Sequence, residues 1–269
     1  VGEGWKDGRT LLVEHVVVTA ALVVCLIGTL IGIGAFGQRV EESSGGALAA
    51  TATLLAPART AFSIWSVIYV GLVVNTLWQW LPRAAESLAR RRIGWLAAAS
   101  MLLNPAWLLA TQVGWIWVSI IVILALVIVL GLLVRRPHEQ PAAGLPERVV
   151  SDGAFGLYLG WVTVAACANI TAAFVDAGVR PGPPGEQVLA VVVLVVAAGL
   201  GLLLASRFGA RFGVAAALAW GLAWIAVGRL GSNPRSTMVG VVSAATAAVV
   251  VLSTVALRRR KSVGEAVAA

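Results

Sequence analysis

The residues with the clearest capacity for chemistry are aromatic and amide side chains at helical spacing. Phe62, Trp65 and Tyr69 lie at positions i, i+3 and i+7, so they share one face of a helix. Asn104 and Trp107 are three positions apart, which also makes them neighbours on one helix face. Such side chains could stack on a flat apolar molecule and hydrogen-bond its polar edges.

A third group of this kind lies further along the chain. Tyr158, Trp161, Ala165 and Asn169 follow one another at intervals that place all four within roughly 80° of helix arc. If the three faces converge, they enclose an aromatic pocket. Simple packing of the same side chains is an equally weighted alternative, because Asn in membrane helices commonly hydrogen-bonds a neighbouring helix.

Reaction chemistry is not indicated by the other residues. The sequence has no HExxH, no Walker motif and no phosphate-binding glycine loop. Cys25 and Cys167 lie in apolar runs, which favours helix packing over a disulfide or a metal site. Glu14 and His15 are interpreted as reaching the membrane interface rather than relaying protons. No catalytic residue, no metal and no required cofactor is therefore predicted, while a membrane enzyme acting on a lipid or pigment stays an open alternative.

The elements that position these residues are membrane-spanning helices. Of the 269 residues, 59% are hydrophobic and 12% are charged, whereas soluble domains have about 25% charged residues. Uncharged apolar runs of about 18 residues or more are candidate transmembrane helices. They predict an all-α integral membrane protein with about eight helices, at residues 12–36, 61–82, 93–111, 115–134, 153–175, 187–205, 211–228 and 237–257.

The basic residues predict an orientation in the lipid bilayer. Fifteen of the 20 Lys and Arg residues fall on the side of the two termini, and five, including Arg229, fall on the other side. Because positive flanks stay in the cytoplasm, both termini are expected there, in a bacterial cytoplasmic membrane. The net charge of +8 is assigned to these flanks, so no nucleic-acid partner is predicted. Five tryptophans are expected at the membrane interfaces, namely Trp78, Trp80, Trp95, Trp115 and Trp117.

The three aromatic groups resemble the signature motifs of one known family. Tyr158-x-x-Trp161-x-x-x-Ala165-x-x-x-Asn169 is similar to the fifth-helix signature of the TspO/MBR family, the translocator-protein or tryptophan-rich sensory protein family. Leu103-Asn104-x-x-Trp107 resembles its third-helix motif, and Trp65-x-x-x-Tyr69, preceded by Phe62, resembles its second-helix motif. The resemblance covers about residues 12–175. The chain departs from the family at Leu157, where a proline is usual, and in the three helices that follow.

The resemblance implies a five-helix bundle whose ligand cavity is closed by the loop between the first two helices, about residues 37–60 here. The implied ligands are porphyrins, haem and sterols, and the implied assembly is a homodimer. Trp65, Asn104, Trp107, Trp161 and Asn169 are carried over as residues that line or frame the cavity. With the helical faces described above, the predicted ligand-binding set is Phe62, Trp65, Tyr69, Asn104, Trp107, Tyr158, Trp161 and Asn169.

Four regions are predicted along the chain. They are a cytoplasmic N-terminal segment (1–11), a TspO-like five-helix bundle (12–175), a three-helix extension (176–257) and a basic cytoplasmic tail (258–269). The predicted function is binding or sensing of a small planar hydrophobic ligand, such as a tetrapyrrole (a porphyrin or haem). A transporter of a small hydrophobic metabolite and a scaffold for another membrane protein are the alternatives. Transport is disfavoured because the sequence has no internal repeat and no pair of interrupted helices.

Overall fold

Long helices make up most of the chain. The computed structural model describes residues 8–32, 34–82, 84, 87, 92–139, 144–207 and 212–268. Eight long helices lie in these ranges: α1 (Gly8–Gly32), α2 (Ile64–Trp78), α3 (Gly94–Gln112), α4 (Ile116–Glu139), α5 (Ala154–Asp176), α6 (Pro183–Arg207), α7 (Phe212–Gly231) and α8 (Thr237–Ala268). A 3₁₀ turn at Arg59–Ser63 leads into α2, and a π-helical turn at Arg148–Gly153 leads into α5. The predicted all-α fold with about eight helices is confirmed.

The outer surface of the helices is suited to lipid. Seven of the eight long helices in the described residues are long and apolar enough to cross a membrane, α3 being the exception. Large hydrophobic side chains are exposed along the outer faces, among them Val70 on α2, Ile121 on α4 and Val195 on α6. An apolar surface of this extent is not tolerated in water, so the chain is an integral membrane protein.

The first five helices form a closed ring. Helix α1 packs against α2 and α3, α4 lies between α3 and α5, and α5 returns to α2. Only residues 113–115 separate α3 from α4, and these two helices form the tight hairpin that the short link predicts. The last three helices pack together, and α7 joins them to the ring by packing along α5.

Glycines allow two of these helix pairs to approach closely. A Cβ at Gly28 of α1 would overlap the ring of Pro105 on α3, and one at Gly32 would lie 3.0 Å from Leu108. Gly160 of α5 is in the same way covered by the backbone of Val214 on α7. Small residues at such crossings let helix backbones pack directly, which stabilises helix pairs in lipid.

The ends of the first and last helices differ from the prediction. Helix α1 ends at Gly32 rather than near residue 36, because Gly34 and Gly37 take positive φ angles of 78° and 90° that a right-handed helix does not allow. Helix α8 continues to Ala268 rather than ending near residue 257, so residues 258–268 are helical. Arg258 begins this part and lies 3.9 Å above the ring of Phe212.

The two polar residues near the start of α1 are not both at the surface. Glu14 is only 3% exposed, and its carboxylate lies beside Gly94, the first residue of α3. Glu14 is therefore covered by protein at the end of α3 that also carries Trp95, and its position at the interface stays a prediction. The physical reason is the helix start, whose unpaired N–H groups favour a nearby anion. His15 lies next to Trp80, with ring centroids 5.3 Å apart.

Four of the five predicted interface tryptophans are exposed at helix ends. Trp80 follows α2, Trp95 begins α3, and Trp115 and Trp117 flank the start of α4. Trp78 is partly buried against the core instead. The exposed four are placed as an interfacial belt requires.

Candidate ligand-binding site

Aromatic side chains from α2, its preceding turn and α5 form one cluster. Trp65 stacks on Tyr69, with ring centroids 5.3 Å apart and an interplanar angle of 16°. Trp65 also meets Tyr158 and Trp161 edge to face, at 5.8 Å and 6.2 Å, and Phe62 meets Trp161 at 5.7 Å. Pairs in these geometries contribute about 0.5–1.5 kcal/mol each beyond their buried area. The predicted faces of α2 and α5 therefore converge.

A cavity of about 280 Å³, called the large chamber here, borders this cluster. Its aromatic wall is made by Phe62, Trp65 and Tyr69. The remaining lining residues come from α1, the following loop, α2 and α3: Thr29, Gly32, Arg39, Val40, Glu41, Ser66 and Leu108. The chamber is close to the lower end of the range of about 300–1,000 Å³ that is typical of small-molecule sites.

A second cavity of about 40 Å³, called the small chamber here, adjoins the first. Val40, Phe62 and Trp65 line both chambers. Three more of the predicted residues line the small chamber from α3 and α5, namely Trp107, Trp161 and Asn169. The two chambers together are therefore bounded by four helices of the ring and by the loop that follows α1.

The loop between α1 and α2 covers the small chamber. It contributes Val40, Ala47, Leu48, Thr53, Ala56 and Pro57 to the lining. Ser44 Oγ of the loop donates a hydrogen bond of 2.9 Å to the carbonyl of Thr111 at the end of α3. The backbone N–H of Gln38 donates to Oε1 of Gln112, and Nε2 of Gln112 donates to the Gln38 carbonyl. The loop thus lies where a lid over the cavity is predicted.

The amide of Asn169 is bound to neighbouring helices. Trp107 Nε1 donates to Asn169 Oδ1 at 2.8 Å. Asn169 Nδ2 donates to Ser119 Oγ at 3.0 Å. One side chain on α5 therefore links α3 and α4, a role in which polar groups commonly stabilise membrane helix bundles.

Asn104 and Tyr158 lie behind the aromatic wall rather than in it. Asn104 Nδ2 donates to the hydroxyl of Tyr69 at 3.3 Å, and the hydroxyl of Tyr158 donates to the Ser100 carbonyl at 3.3 Å. Both side chains are almost completely buried, and neither lines a chamber. They orient Tyr69 and Trp65, whose faces form the cavity wall. The structure thus brings all eight predicted residues together but places six of them on the cavity.

Arg229 is one of the residues around this site that the sequence prediction missed. The charge pattern places Arg229 among the basic residues that flank the helices, but in the structure it is only 1% exposed. Its Nη1 donates to the carbonyl of Thr53 at 3.0 Å and its Nη2 to that of Ala50 at 2.8 Å. An arginine near the end of an apolar run has the same pattern as a membrane flank. Only the position of the loop shows that this guanidinium binds the lid.

Two tryptophans of α7 make further contacts to this region. They are Trp220 and Trp224, and neither lines a chamber. Trp220 is 37% exposed, yet its Nε1 donates to the carbonyl of Ala61 at 2.9 Å. The carbonyl of Trp224 accepts a hydrogen bond of 3.1 Å from the backbone N–H of Ala58. Helix α7 therefore binds both the lid and the turn that carries Phe62.

These features define a class of protein. Eight long helices, a lipid-facing apolar surface and an aromatic cavity beneath a loop are the marks of a polytopic membrane protein of the ligand-binding or sensory type. The chain belongs to the family described as TSPO-like protein, whose family model matches residues 14–256. The match continues past α5 into α8, so it includes the three helices that the motifs leave unassigned. No curated protein and no solved structure matches the chain.

Proposed function

We propose that the protein is a non-catalytic membrane receptor for a small planar hydrophobic ligand, with porphyrin or haem as the first candidates. The observation that carries this proposal is the position of Trp65. Its indole stacks on Tyr69, lines both chambers and is supported edge-on by Tyr158 and Trp161. A flat ligand in the large chamber would lie against this wall and gain most of its affinity from stacking and apolar burial.

The composition of the site supports binding over catalysis. The large chamber offers hydroxyl groups from Thr29, Ser66 and Tyr69. It also offers the charged side chains of Arg39 and Glu41 near the lid. Glu41 is paired with Arg59, at 2.5 Å between Oε2 and Nε. Hydroxyls and a guanidinium suit the polar edge of a mainly apolar ligand, since a few placed polar groups orient such molecules.

The surroundings of the protein are part of the proposal. The lipid bilayer would deliver a hydrophobic ligand, and the basic residues favour a bacterial cytoplasmic membrane with both termini in the cytoplasm. In that orientation the lid and both chambers face away from the cytoplasm. A homodimer is a further expectation, to be tested by the mass of the purified complex.

Titration with protoporphyrin IX and with haem tests the proposal. The detergent-purified protein is titrated while tryptophan fluorescence and the Soret band are recorded. Saturable binding is expected, and the combined substitution Trp65→Ala and Trp161→Ala should weaken it at least about tenfold. Trp115→Ala is the matched control, because Trp115 is an exposed tryptophan far from the cluster in sequence and lines neither chamber. If neither protoporphyrin IX nor haem shows saturable binding, the tetrapyrrole proposal is refuted.

Flux measurements separate binding from transport. Proteoliposomes that contain the wild-type protein are loaded with the same ligands. The rate of ligand release is then compared with that of protein-free vesicles. A receptor leaves the release rate unchanged, whereas a transporter raises it. Product analysis after incubation in light and in darkness tests for an enzymatic activity in the same samples.

A further inference from the structure

Two charged side chains line the large chamber, and both come from the loop between α1 and α2. They are Arg39 and Glu41. Because their charges are opposite, the charge that a ligand meets depends on which of the two already has a partner within the protein. In a mainly apolar chamber the other one then decides which ligands are favoured, since complementary charge contributes specificity.

Glu41 is held by an arginine from the far end of the same loop. Its Oε2 lies 2.5 Å from Nε of Arg59, and its side chain is only 16% exposed. The guanidinium of Arg59 also lies 3.8 Å from the carboxylate of Glu42. A carboxylate in a short charge-assisted hydrogen bond attracts a second cation less strongly, because its charge is balanced at contact distance. Glu41 therefore brings little unbalanced negative charge to the chamber.

Arg39 has no such partner in the part of the chain that the structure describes. No ion pair and no side-chain hydrogen bond joins it to another described residue. Its stem is nevertheless held in place, because its Cγ lies 2.8 Å from the position that a Cβ on Gly34 would take. Gly34 provides this space at a positive φ of 78°. The side chain is exposed at the chamber, so its five N–H donors remain for an added partner.

The other basic residues on the predicted outer side are paired or lie away from the chambers. Arg59 is engaged by the two carboxylates of the loop, and Arg229 donates to the carbonyls of the lid. Arg180 and Arg235 line neither chamber. Among the described residues of that side, Arg39 is therefore the basic residue that combines a place on the chamber wall with an unpaired charge.

We propose that Arg39 is a specificity-determining residue that selects an anionic ligand, by binding a carboxylate on the edge of the flat body in the large chamber. This rests on the proposed function and adds a charge that aromatic stacking does not require. A planar guanidinium matches a carboxylate through two parallel N–H···O hydrogen bonds. A cationic ligand of the same shape is disfavoured, because Glu41 is already paired with Arg59.

Pyrenecarboxylic acid and pyrenecarboxamide, substituted at the same ring carbon, are the probes for the test. They have nearly the same flat shape, and at neutral pH they differ by one negative charge. Their dissociation constants are measured by tryptophan quenching in dodecyl maltoside, an uncharged detergent. Partitioning of each probe into the detergent is the same for every variant, so a change in the ratio of the two constants reports on the protein. Arg39→Gln should reduce the relative affinity for the acid by about fivefold, and Arg39→Lys by less.

Arg59 provides a second variant, whose effect a merely structural role of Arg39 would not produce. In Arg59→Gln the carboxylate of Glu41 loses its partner and becomes available to Arg39 on the same chamber wall. The relative affinity for the acid should then fall as well. Combining Arg59→Gln with Glu41→Gln removes the competing carboxylate and should restore the relative affinity.

Arg180→Gln is the matched control. It removes one positive charge from the same predicted side of the membrane, at an exposed residue that lines neither chamber. The ratio of the two dissociation constants should match the wild type in this variant. Thermal unfolding verifies that each variant is folded.

The outcomes distinguish the carboxylate site from the proposed function. If both probes bind and their ratio is the same in the wild type and in Arg39→Gln, the carboxylate site is overturned and the receptor proposal stands. If added phosphatidylglycerol removes the difference between these two proteins, Arg39 binds a lipid headgroup instead, which also overturns the site. The same holds if protoporphyrin IX binds and pyrenecarboxylic acid does not. Failure of protoporphyrin IX, haem and both probes overturns the receptor proposal and the carboxylate site with it.

Discussion

Nε1 of Trp107 donates a 2.8 Å hydrogen bond to Oδ1 of Asn169, which joins α3 to α5 across the ring. The same amide donates to Ser119 on α4. Asn169 lines the small chamber, but its side chain is committed to partners within the protein. Pocket and packing were equal alternatives for this residue from the sequence, and in the structure it serves the packing of the bundle while forming part of the cavity wall.

Replacing Asn169 should therefore reduce stability before it changes ligand selectivity. Asn169→Leu leaves the buried Nε1 of Trp107 without its acceptor, which should lower the free energy of unfolding by about 1–3 kcal/mol. Thermal unfolding in detergent measures the change. Trp107→Phe in the Asn169→Leu background should recover part of the loss, since the orphaned donor is then removed. A variant as stable as the wild type would show that this bond does not hold the helices.

Tyr69 tests whether the ring or the hydroxyl forms the cavity wall. Tyr69→Phe removes the group that binds Asn104 but keeps the ring stacked on Trp65. We expect protoporphyrin IX affinity to change less than about threefold in Tyr69→Phe and to fall about tenfold in Tyr69→Ala. Soret titration measures both. An equal loss in the two variants would instead make the hydroxyl the ligand contact.

Much of the bundle could be predicted from the sequence for a physical reason. In lipid every backbone polar group must be satisfied within its own segment, so apolar run length indicates each helix directly. Helical spacing then places Phe62, Trp65 and Tyr69 on one face and Trp161 and Asn169 on another, as the structure shows. These features depend on residues close together in the chain, where periodicity carries the information.

The features that could not be predicted depend on pairs far apart in the chain. Ser119 binds Asn169 across 50 positions, and a serine in a membrane helix more often bonds its own backbone. Arg229 binds the carbonyl of Thr53 across 176 positions, with a loop of irregular backbone as its partner. No periodicity relates such residues. Their roles appear only once the bundle has brought α4 to α5 and α7 to the lid.

Arg229 should control how firmly the lid is held. Arg229→Gln removes the guanidinium group that donates to the carbonyls of Ala50 and Thr53. Because the loop is then held less firmly, we expect faster backbone hydrogen exchange in residues 47–58. Hydrogen–deuterium exchange with mass spectrometry measures this directly, with no ligand present. Arg229→Lys should give an intermediate rate, because a single ammonium group cannot reproduce the two-pronged geometry.

Arg235→Gln is the control for the charge change. Arg235 follows α7 closely in sequence but is exposed, and it makes no bond to the lid among the described residues. Exchange in residues 47–58 should match the wild type in this variant. If Arg229→Gln also matches the wild type, the lid is held by its other contacts, to α3 and to the carbonyl of Trp224, and not by Arg229.

Gly28 tests the close approach of α1 to α3. A methyl group at Gly28 would overlap the ring of Pro105, so Gly28→Ala must push the two helices apart or distort them. Overpacking of this kind costs about 1–3 kcal/mol. Since α1 also contributes Thr29 and Gly32 to the large chamber, ligand affinity should fall together with the unfolding temperature.

Gly131→Ala and Gly199→Ala are the matched controls, because a Cβ at either position meets nothing within 4 Å. Both glycines lie inside helices, where alanine is favoured over glycine by about 0.5–1 kcal/mol, so these variants should be as stable as the wild type or slightly more stable. The same Gly→Ala substitution is thus expected to lower stability at a helix crossing and to raise it slightly on an open helix face. Equal stabilities for Gly28→Ala and Gly131→Ala would mean that α1 does not rest on Pro105 and that the large chamber has a different wall on that side.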